Sequence, residues 1–190
     1  MNETDIFDMT EENKPQKVMS KKTKRVLTYL LCGIIGITIA LLAVLIFDAV
    51  FSGAPTPEEA VADYQRAALI YDIDGIIEYS SEYNKTVLYG NRETTDKLLR
   101  DYLKKGYAGY TAPYEEEKIN FKLVSVLEYE KGEGRFEEIT QPYSEKADAE
   151  KIKKAAIVRM TVDNGKSDTT RDYVAVKCGM RWYFAYALGM

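Results

Sequence analysis

The chain of 190 residues contains no histidine. That absence removes the commonest general base, the commonest zinc ligand and every Ser-His or Cys-His nucleophile pair, and most hydrolytic mechanisms go with them. Cysteine is nearly as scarce: Cys32 and Cys178 are the only two, one inside an apolar run and the other near the C-terminus, so no disulfide within the chain is expected. An exported domain without a disulfide is held by packing alone, which suits a bacterial envelope better than a eukaryotic secretory route. The Asn84-Lys85-Thr86 triplet, a glycosylation signal on such a route, is accordingly read as chance. Positive charge is not in excess either, with 26 basic against 30 acidic residues, and this argues against nucleic acid as a partner. Gly132-Glu133-Gly134 is too short for a phosphate loop and reads as a turn. Glu115-Glu116-Glu117 lacks the alternating ligands and the glycine of a calcium loop and reads as a solvated acidic corner. No metal, no cofactor and no catalytic residue is expected.

What the chain does have is a stretch from Val26 to Phe47, 22 residues without one charge. As a helix it reaches roughly 33 Å, enough to cross a hydrocarbon core of about 30 Å. Lys17, Lys21, Lys22, Lys24 and Arg25 stand directly before it, and the next basic residue is Arg66. The positive-inside rule then puts the N-terminus in the cytoplasm and the C-terminal part outside, with the lipid bilayer as first partner. A cleaved signal peptide fits less well, because the apolar run is too long and Pro55 follows the cleavage-like Ser52-Gly53-Ala54. Acylation of Cys32 fits less well too, since Leu31 precedes it and it opens the apolar run rather than ending it. Cys32, Gly36 and Ala40 recur at every fourth position, a small-residue stripe that would let two copies approach as a homodimer.

The expected organisation is a disordered cytoplasmic tail (1–25), a transmembrane helix (26–47), a linker (48–55) and one outer domain (56–190). In that domain Thr56 reads as an N-cap, Pro57 as the first helical residue and Glu59 as the capping-box partner. Val61, Tyr64, Ala68 and Tyr71 then share one helix face. Asp74 is expected to cap a short helix through Tyr79, Ser80 to Asn91 to form a loop, and a helix from Thr94 or Thr95 to end at Gly106. Beyond Pro113 the period becomes two: Ile119, Phe121, Leu123, Leu127 and Tyr129 fall on one side of a long strand. Residues 144–154 read as an exposed helix. Three further strands follow, 155–162, 171–178 and 181–188, with tight turns at Asp163-Asn164-Gly165 and Gly179-Met180. On the last, Trp182, Phe184, Tyr186 and Leu188 are expected on one face. The fold class is α+β, helices packed on a curved antiparallel sheet behind a single N-terminal transmembrane helix.

The opening T-P-E-E-A-V-x-x-Y (Thr56 to Tyr64), the I-Y-D-I-D-G-I-I-E-Y continuation (Ile70 to Tyr79) and the final R-W-Y-F strand (Arg181 to Phe184) resemble the nuclear transport factor 2-like, cystatin-like cone fold. The likeness is to its membrane-anchored and lipoprotein versions outside the cytoplasmic membrane of Gram-positive bacteria. It implies a sheet curled around helices with a cone-shaped cavity, and says little about activity. Enzymes of this fold, the ketosteroid isomerases and dehydratases, place an aspartate base beside tyrosines. Asp72, Asp74 or Asp172 would fill that role here if buried.

Tyrosine is abundant, at fifteen residues. Its flat ring and polar tip suit stacking on sugars or capturing peptide and protein surfaces. Tyr107, Tyr110 and Tyr114, spread through the flexible segment from Gly106 to Tyr114, are the expected ligand-binding residues. The leading expectation is a non-catalytic module at the cell surface that binds envelope glycan, a peptide or another membrane protein. An isomerase- or dehydratase-like enzyme, or a scaffold for a membrane complex, are the alternatives.

Overall fold

The computed structural model describes residues 21–145 and 149–189, and within the first helix the side chains of residues 22, 26 and 29–42. Residues 1–20 of the expected tail lie outside the described residues. The chain divides into two compact units, separated between Ile46 and Phe47.

In the first unit, helix α1 (Lys21–Phe51) carries the apolar stretch. It starts five residues earlier than the expected span, so Lys21 to Arg25 are helical rather than part of a disordered tail. Among the described residues no helix is long and apolar enough to cross a membrane; the uninterrupted run of described side chains in α1 is residues 29–42. Leu30, Leu31, Ile34, Ile35, Ile37, Ile39, Leu41 and Leu42 in that run are each more than half exposed. With Val26 and Tyr29, also more than half exposed, these positions at 3.6 residues per turn point to every side of the helix.

The second unit is an α+β domain: among the described residues, five short helices pack on one four-stranded antiparallel sheet. Helix α2 (Pro57–Ile70) begins as its capping signal requires, with Thr56 Oγ1 accepting from Glu59 N at 3.3 Å and Pro57 in the first turn. It ends at Tyr71, which adopts φ +61°. Helix α3 (Ile73–Tyr79) is capped by Asp72, whose carboxylate accepts from Asp74 N, so the cap lies two residues before the expected one. Gly75 permits α3 to press against α2, since a Cβ there would stand 2.6 Å from the Asp72 carboxylate and 2.9 Å from Ala67 Cβ.

The expected loop at 80–91 is instead largely a helix, α4 (Glu82–Leu88), capped by Ser81. Its polar content is mostly outward-facing surface, while Asn84 and Lys85 are buried. Helix α5 (Asp96–Tyr107) is capped by Thr95 and runs through Gly106.

Strands β1 (Asn120–Glu130), β2 (Ile152–Asp163), β3 (Asp168–Cys178) and β4 (Arg181–Ala187) pair in sequence order, every pair antiparallel. Between β1 and β2, helix α6 (Gly134–Thr140) and the single turns Gln141–Tyr143 and Ala149–Lys151 replace the expected helix at 144–154. Residues 146–148 lie outside the described residues. The connection at 164–167 is four residues long rather than a two-residue turn: Asp163 pairs with Asp168, and Asn164 Oδ1 accepts from Lys166 N and Ser167 N.

Away from β1, the middle of the sheet is buried on both faces. On the first, Val61, Tyr64, Ile76, Leu99 and Leu103 of the helices meet Ala156, Val158, Met160, Tyr173, Trp182 and Phe184. On the other, Phe136, Ile139 and Tyr143 cover Ala155, Val174, Val176 and Ala185. A strand buried on two sides needs apolar residues at successive positions, which is why β2 reads Ala-Ala-Ile-Val and β3 Tyr-Val-Ala-Val.

The sheet has three register shifts, one of them at the start of β2 between Ile152 and Lys154; the other two break the expected alternation. The β1–β2 register shifts between Leu123 and Ser125, so Val124 is an extra residue. Phe121 and Val126 therefore join the helix-side core, while Tyr129 joins the opposite cluster and Leu127 stands opposite Ile157 of that cluster. The β3–β4 register shifts so that Val174 faces Tyr186 and Ala175 faces Phe184. Trp182 and Phe184 pack on the helix side and Tyr186 and Leu188 on the other, not all four together.

The segment expected as a linker at 48–55 is instead structured. Residues 48–51 end α1, and Ala54 pairs with Trp182 through two 2.9 Å backbone hydrogen bonds. Gly53 holds φ +73°, and a Cβ on it would stand 2.8 Å from the Trp182 carbonyl.

Candidate functional site

Where α3 ends and α4 begins, the backbone runs beside β4. Ser80 bridges Phe184 in parallel register and Ser81 N donates to Phe184 O at 2.8 Å. Burying this junction takes two serines and an asparagine out of water, so each needs a partner. Ser80 Oγ donates to Ile76 O at 2.5 Å and accepts from Asn84 Nδ2 at 2.8 Å. Ser81 Oγ accepts from Asn84 N and lies 2.8 Å from the Tyr143 hydroxyl, which links α4 to the cluster on the far face of the sheet. Asn84 is 6% exposed and bonded within this network, which excludes it as a glycosylation acceptor in the folded chain.

One turn further, Lys85 is 9% exposed. Its ammonium donates to Asp96 Oδ1 at 2.7 Å and to Glu82 Oε1 at 3.0 Å, tying α4 to the first turn of α5. Burial alone would lower its pKa, but the hydrogen bonds and charges of Asp96 and Glu82 together outweigh that and hold it above the ordinary lysine value.

Beside Lys85 lies a cleft of about 210 Å³. Ser80, Ser81 and Ile77 line it, with Ser52 and Tyr183 bordering it; Glu78, Glu82, Asp96 and Lys151 supply further charge. Glu78 is raised in pKa by burial first, then by Asp72, Asp63 and Asp74 nearby.

The three tyrosines expected as a binding group occupy separate environments. Tyr107 ends α5 and stacks on Tyr71, centroids 4.3 Å apart at 11°. Tyr110 is 71% exposed. Tyr114 lies under Lys166, whose ammonium is 5.0 Å from the ring centroid and donates to Pro113 O. Tyr107 and Tyr110 are neighbours through the 3.0 Å bond from Tyr110 N to Tyr107 O; among the described residues no ring contact joins the three.

Each aspartate considered as a base is otherwise engaged. Asp72 caps α3, Asp74 pairs with Arg100 at 2.8 Å, and Asp172 receives two 2.7 Å hydrogen bonds from Arg159. Those bonds hold Asp172 below the usual carboxylate range. Among the described residues no Asp or Glu is fully buried; partial burial raises the pKa of Asp63 and Glu78, neither of which is among the three aspartates considered. No group of three or more His, Cys, Asp or Glu side chains there could hold a metal ion. Glu115 pairs with Lys118 at the acidic corner, and Glu116–Lys118 form an exposed turn.

Sequence reasoning missed the cleft because its residues come from five separate segments. The one local signal was Glu82 three residues before Lys85, the spacing of a helical ion pair inside a segment read as loop. No family model, no curated protein and no solved structure matches this chain.

Proposed function

We propose that the chain is a single-pass membrane protein, with Val26–Phe47 crossing the bilayer and its N-terminus in the cytoplasm. Its α+β domain is a non-catalytic binding module of the nuclear transport factor 2-like cone type, presented outside the cell. The observation that carries this reading is α1: its described apolar side chains are exposed on every side, which in water would be a large unsheltered apolar surface and in lipid is the favoured state. The two bulges support the cone, since an extra residue bends and twists a strand. The tyrosine segment with Tyr107, Tyr110 and Tyr114 is the surface offered to envelope glycan, a peptide or a membrane protein, and Cys32, Gly36 and Ala40 are the stripe for self-association in the bilayer.

Two measurements test this. The protein should stay with membranes through alkaline carbonate washing, and protease added to intact cells should remove the C-terminal domain; release into the wash or full protection would overturn the anchor or its orientation. Replacing Tyr107, Tyr110 and Tyr114 together by alanine should reduce retention on isolated cell envelope at least fivefold while the domain stays folded, its unfolding midpoint lowered by the lost Tyr71–Tyr107 stack. Retention equal to the parent would overturn the tyrosine site.

A further inference from the structure

Ser52 follows Phe47, the last residue of the apolar stretch, by five positions, and five residues span at most about 18 Å of extended chain. Ser52 is also fixed within the domain, its hydroxyl 3.1 Å from the Tyr183 hydroxyl, which in turn reaches Ser52 O at 3.3 Å. Both residues line the cleft beside Lys85. On the membrane reading above, on which this inference rests, covalent reach alone keeps that wall of the cleft within about 18 Å of the bilayer boundary.

The cleft's size and charge narrow what it can take. At about 210 Å³ it falls below the roughly 300–1,000 Å³ of sites for drug-sized ligands and suits a polar group of a few heavy atoms. Three carboxylates, Glu78, Glu82 and Asp96, line it together with the ammonium groups of Lys85 and Lys151, so its lining carries one negative charge in excess. Lys85 engages one oxygen each of Glu82 and Asp96, so the second oxygen of each carboxylate remains to accept from a ligand. Glu78 is exposed on the cleft wall, and partial desolvation together with the acids around it raises its pKa; an incoming cation would offset the crowding by those acids. Lys151, exposed at the rim, supplies the complementary positive charge.

We propose that this cleft binds the headgroup of an aminophospholipid, its primary ammonium donating to Glu78, Glu82 and Asp96 and its phosphate lying against Lys151. The chemistry recognised is an ammonium two carbons from a phosphate diester. A quaternary ammonium has no N–H to donate, so the same site discriminates against choline headgroups.

The test uses the full-length protein in detergent micelles, titrated calorimetrically with dihexanoyl phosphatidylethanolamine, dihexanoyl phosphatidylcholine and water-soluble glycerophosphoethanolamine. The ethanolamine lipid is expected to bind at least tenfold more tightly than the choline lipid. Glu78→Gln and Lys151→Gln, neither of which touches the Lys85 brace, should each weaken it at least fivefold with the unfolding midpoint unchanged. Equal affinity for the two lipids, or undiminished binding by both variants, overturns the proposal. Because the lipid shares the micelle with the anchor and is concentrated beside the cleft, it should bind more tightly than glycerophosphoethanolamine; equal affinity overturns the assignment to a lipid and names a free solute as the source. Failure of the anchor is read separately by carbonate release, whereas an anchored protein without headgroup discrimination overturns this inference alone.

Discussion

At one edge of the sheet the backbone of residues 54 and 80–81 bonds to the outer side of β4; at the other, among the described residues, β1 pairs only with β2. The first edge is closed by the segment through which the chain enters the domain and by the junction of α3 with α4. The second carries a bulge at Val124 and exposes Leu123, Val124 and Leu127, 46%, 52% and 55% accessible. An open edge is a template for pairing with another chain, and bulges and flanking charges are the usual means of blunting it. Cooperative stability should therefore concentrate on the β4 side, where Trp182 and Phe184 are buried beneath these extra segments, and thin out toward β1.

The sharpest test of that gradient is Phe184→Ala. Phe184 is 4% exposed and stacks on Tyr64 with centroids 3.9 Å apart at 4°, and its backbone carbonyl holds Ser81 N. Emptying this position should cost about 3–5 kcal/mol, read from chemical unfolding of the full-length protein by the fluorescence of its single tryptophan, Trp182. A loss no larger than that of an exposed β1 substitution would break the comparison.

Next in size is Gly53→Ala. The substituted residue would have to keep φ +73° with its Cβ 2.7 Å from the Tyr183 ring, so the Ala54–Trp182 bridge must shift. The expected cost is about 1–3 kcal/mol, with limited proteolysis cutting first near residues 52–55. Unchanged protection there would mean that the entry segment does not close the edge.

The same two edges show how far the sequence could be read. Local signals with a single geometric meaning were legible: Thr56-Pro57 at a helix start, a helix beginning at Thr94 or Thr95, and the Gly179-Met180 turn. Strand existence was legible too. What side each residue faces was not, because one extra residue at Val124 and one at Ala185 invert everything beyond them. A bulge leaves no mark in an alternating pattern until its partner strand is known. Helix α4 was hidden because a short helix with a polar outer face resembles a loop, and its buried Asn84 and Lys85 acquire partners only from Ser80, Glu82 and Asp96 in the folded chain. The cleft beside Lys85 was invisible for the same reason, since segments distant in sequence supply its charges.

Alkaline pH gives a graded version of the comparison. Burial raises the pKa of Tyr64 and Tyr173 in the helix-side core and pushes Tyr186 up to about 12; the Tyr186 hydroxyl also donates to Ile139 O at 2.8 Å. A folded state that holds a proton which the unfolded chain releases near pH 10 has that stability in full below pH 10 and loses it as pH rises toward the folded value. The unfolding midpoint should thus be level from neutrality to about pH 10 and then fall, and Tyr186→Phe should make the fall shallower while lowering the neutral-pH midpoint through the lost hydrogen bond. An identical alkaline slope in the variant would remove Tyr186 from this account.

The smallest effect on stability is expected at the open edge, where two changes separate packing from protection. Leu127 is more than half exposed on β1, so Leu127→Glu should alter stability within about 0.5 kcal/mol. Deleting Val124 is different in kind. Leu123 already pairs with Met160 and Ser125 with Arg159, so removing the residue between them leaves both partners and both faces as they are while straightening the strand. The domain should keep its unfolding midpoint to within a few degrees yet self-associate more strongly than the parent, as a flat unpaired edge invites strand addition. Sedimentation of the full-length protein in density-matched detergent measures this directly. Self-association equal to the parent would show that the bulge serves only to bend the sheet, and that the flanking charges of Lys122 and Glu128 are enough to keep the edge unpaired.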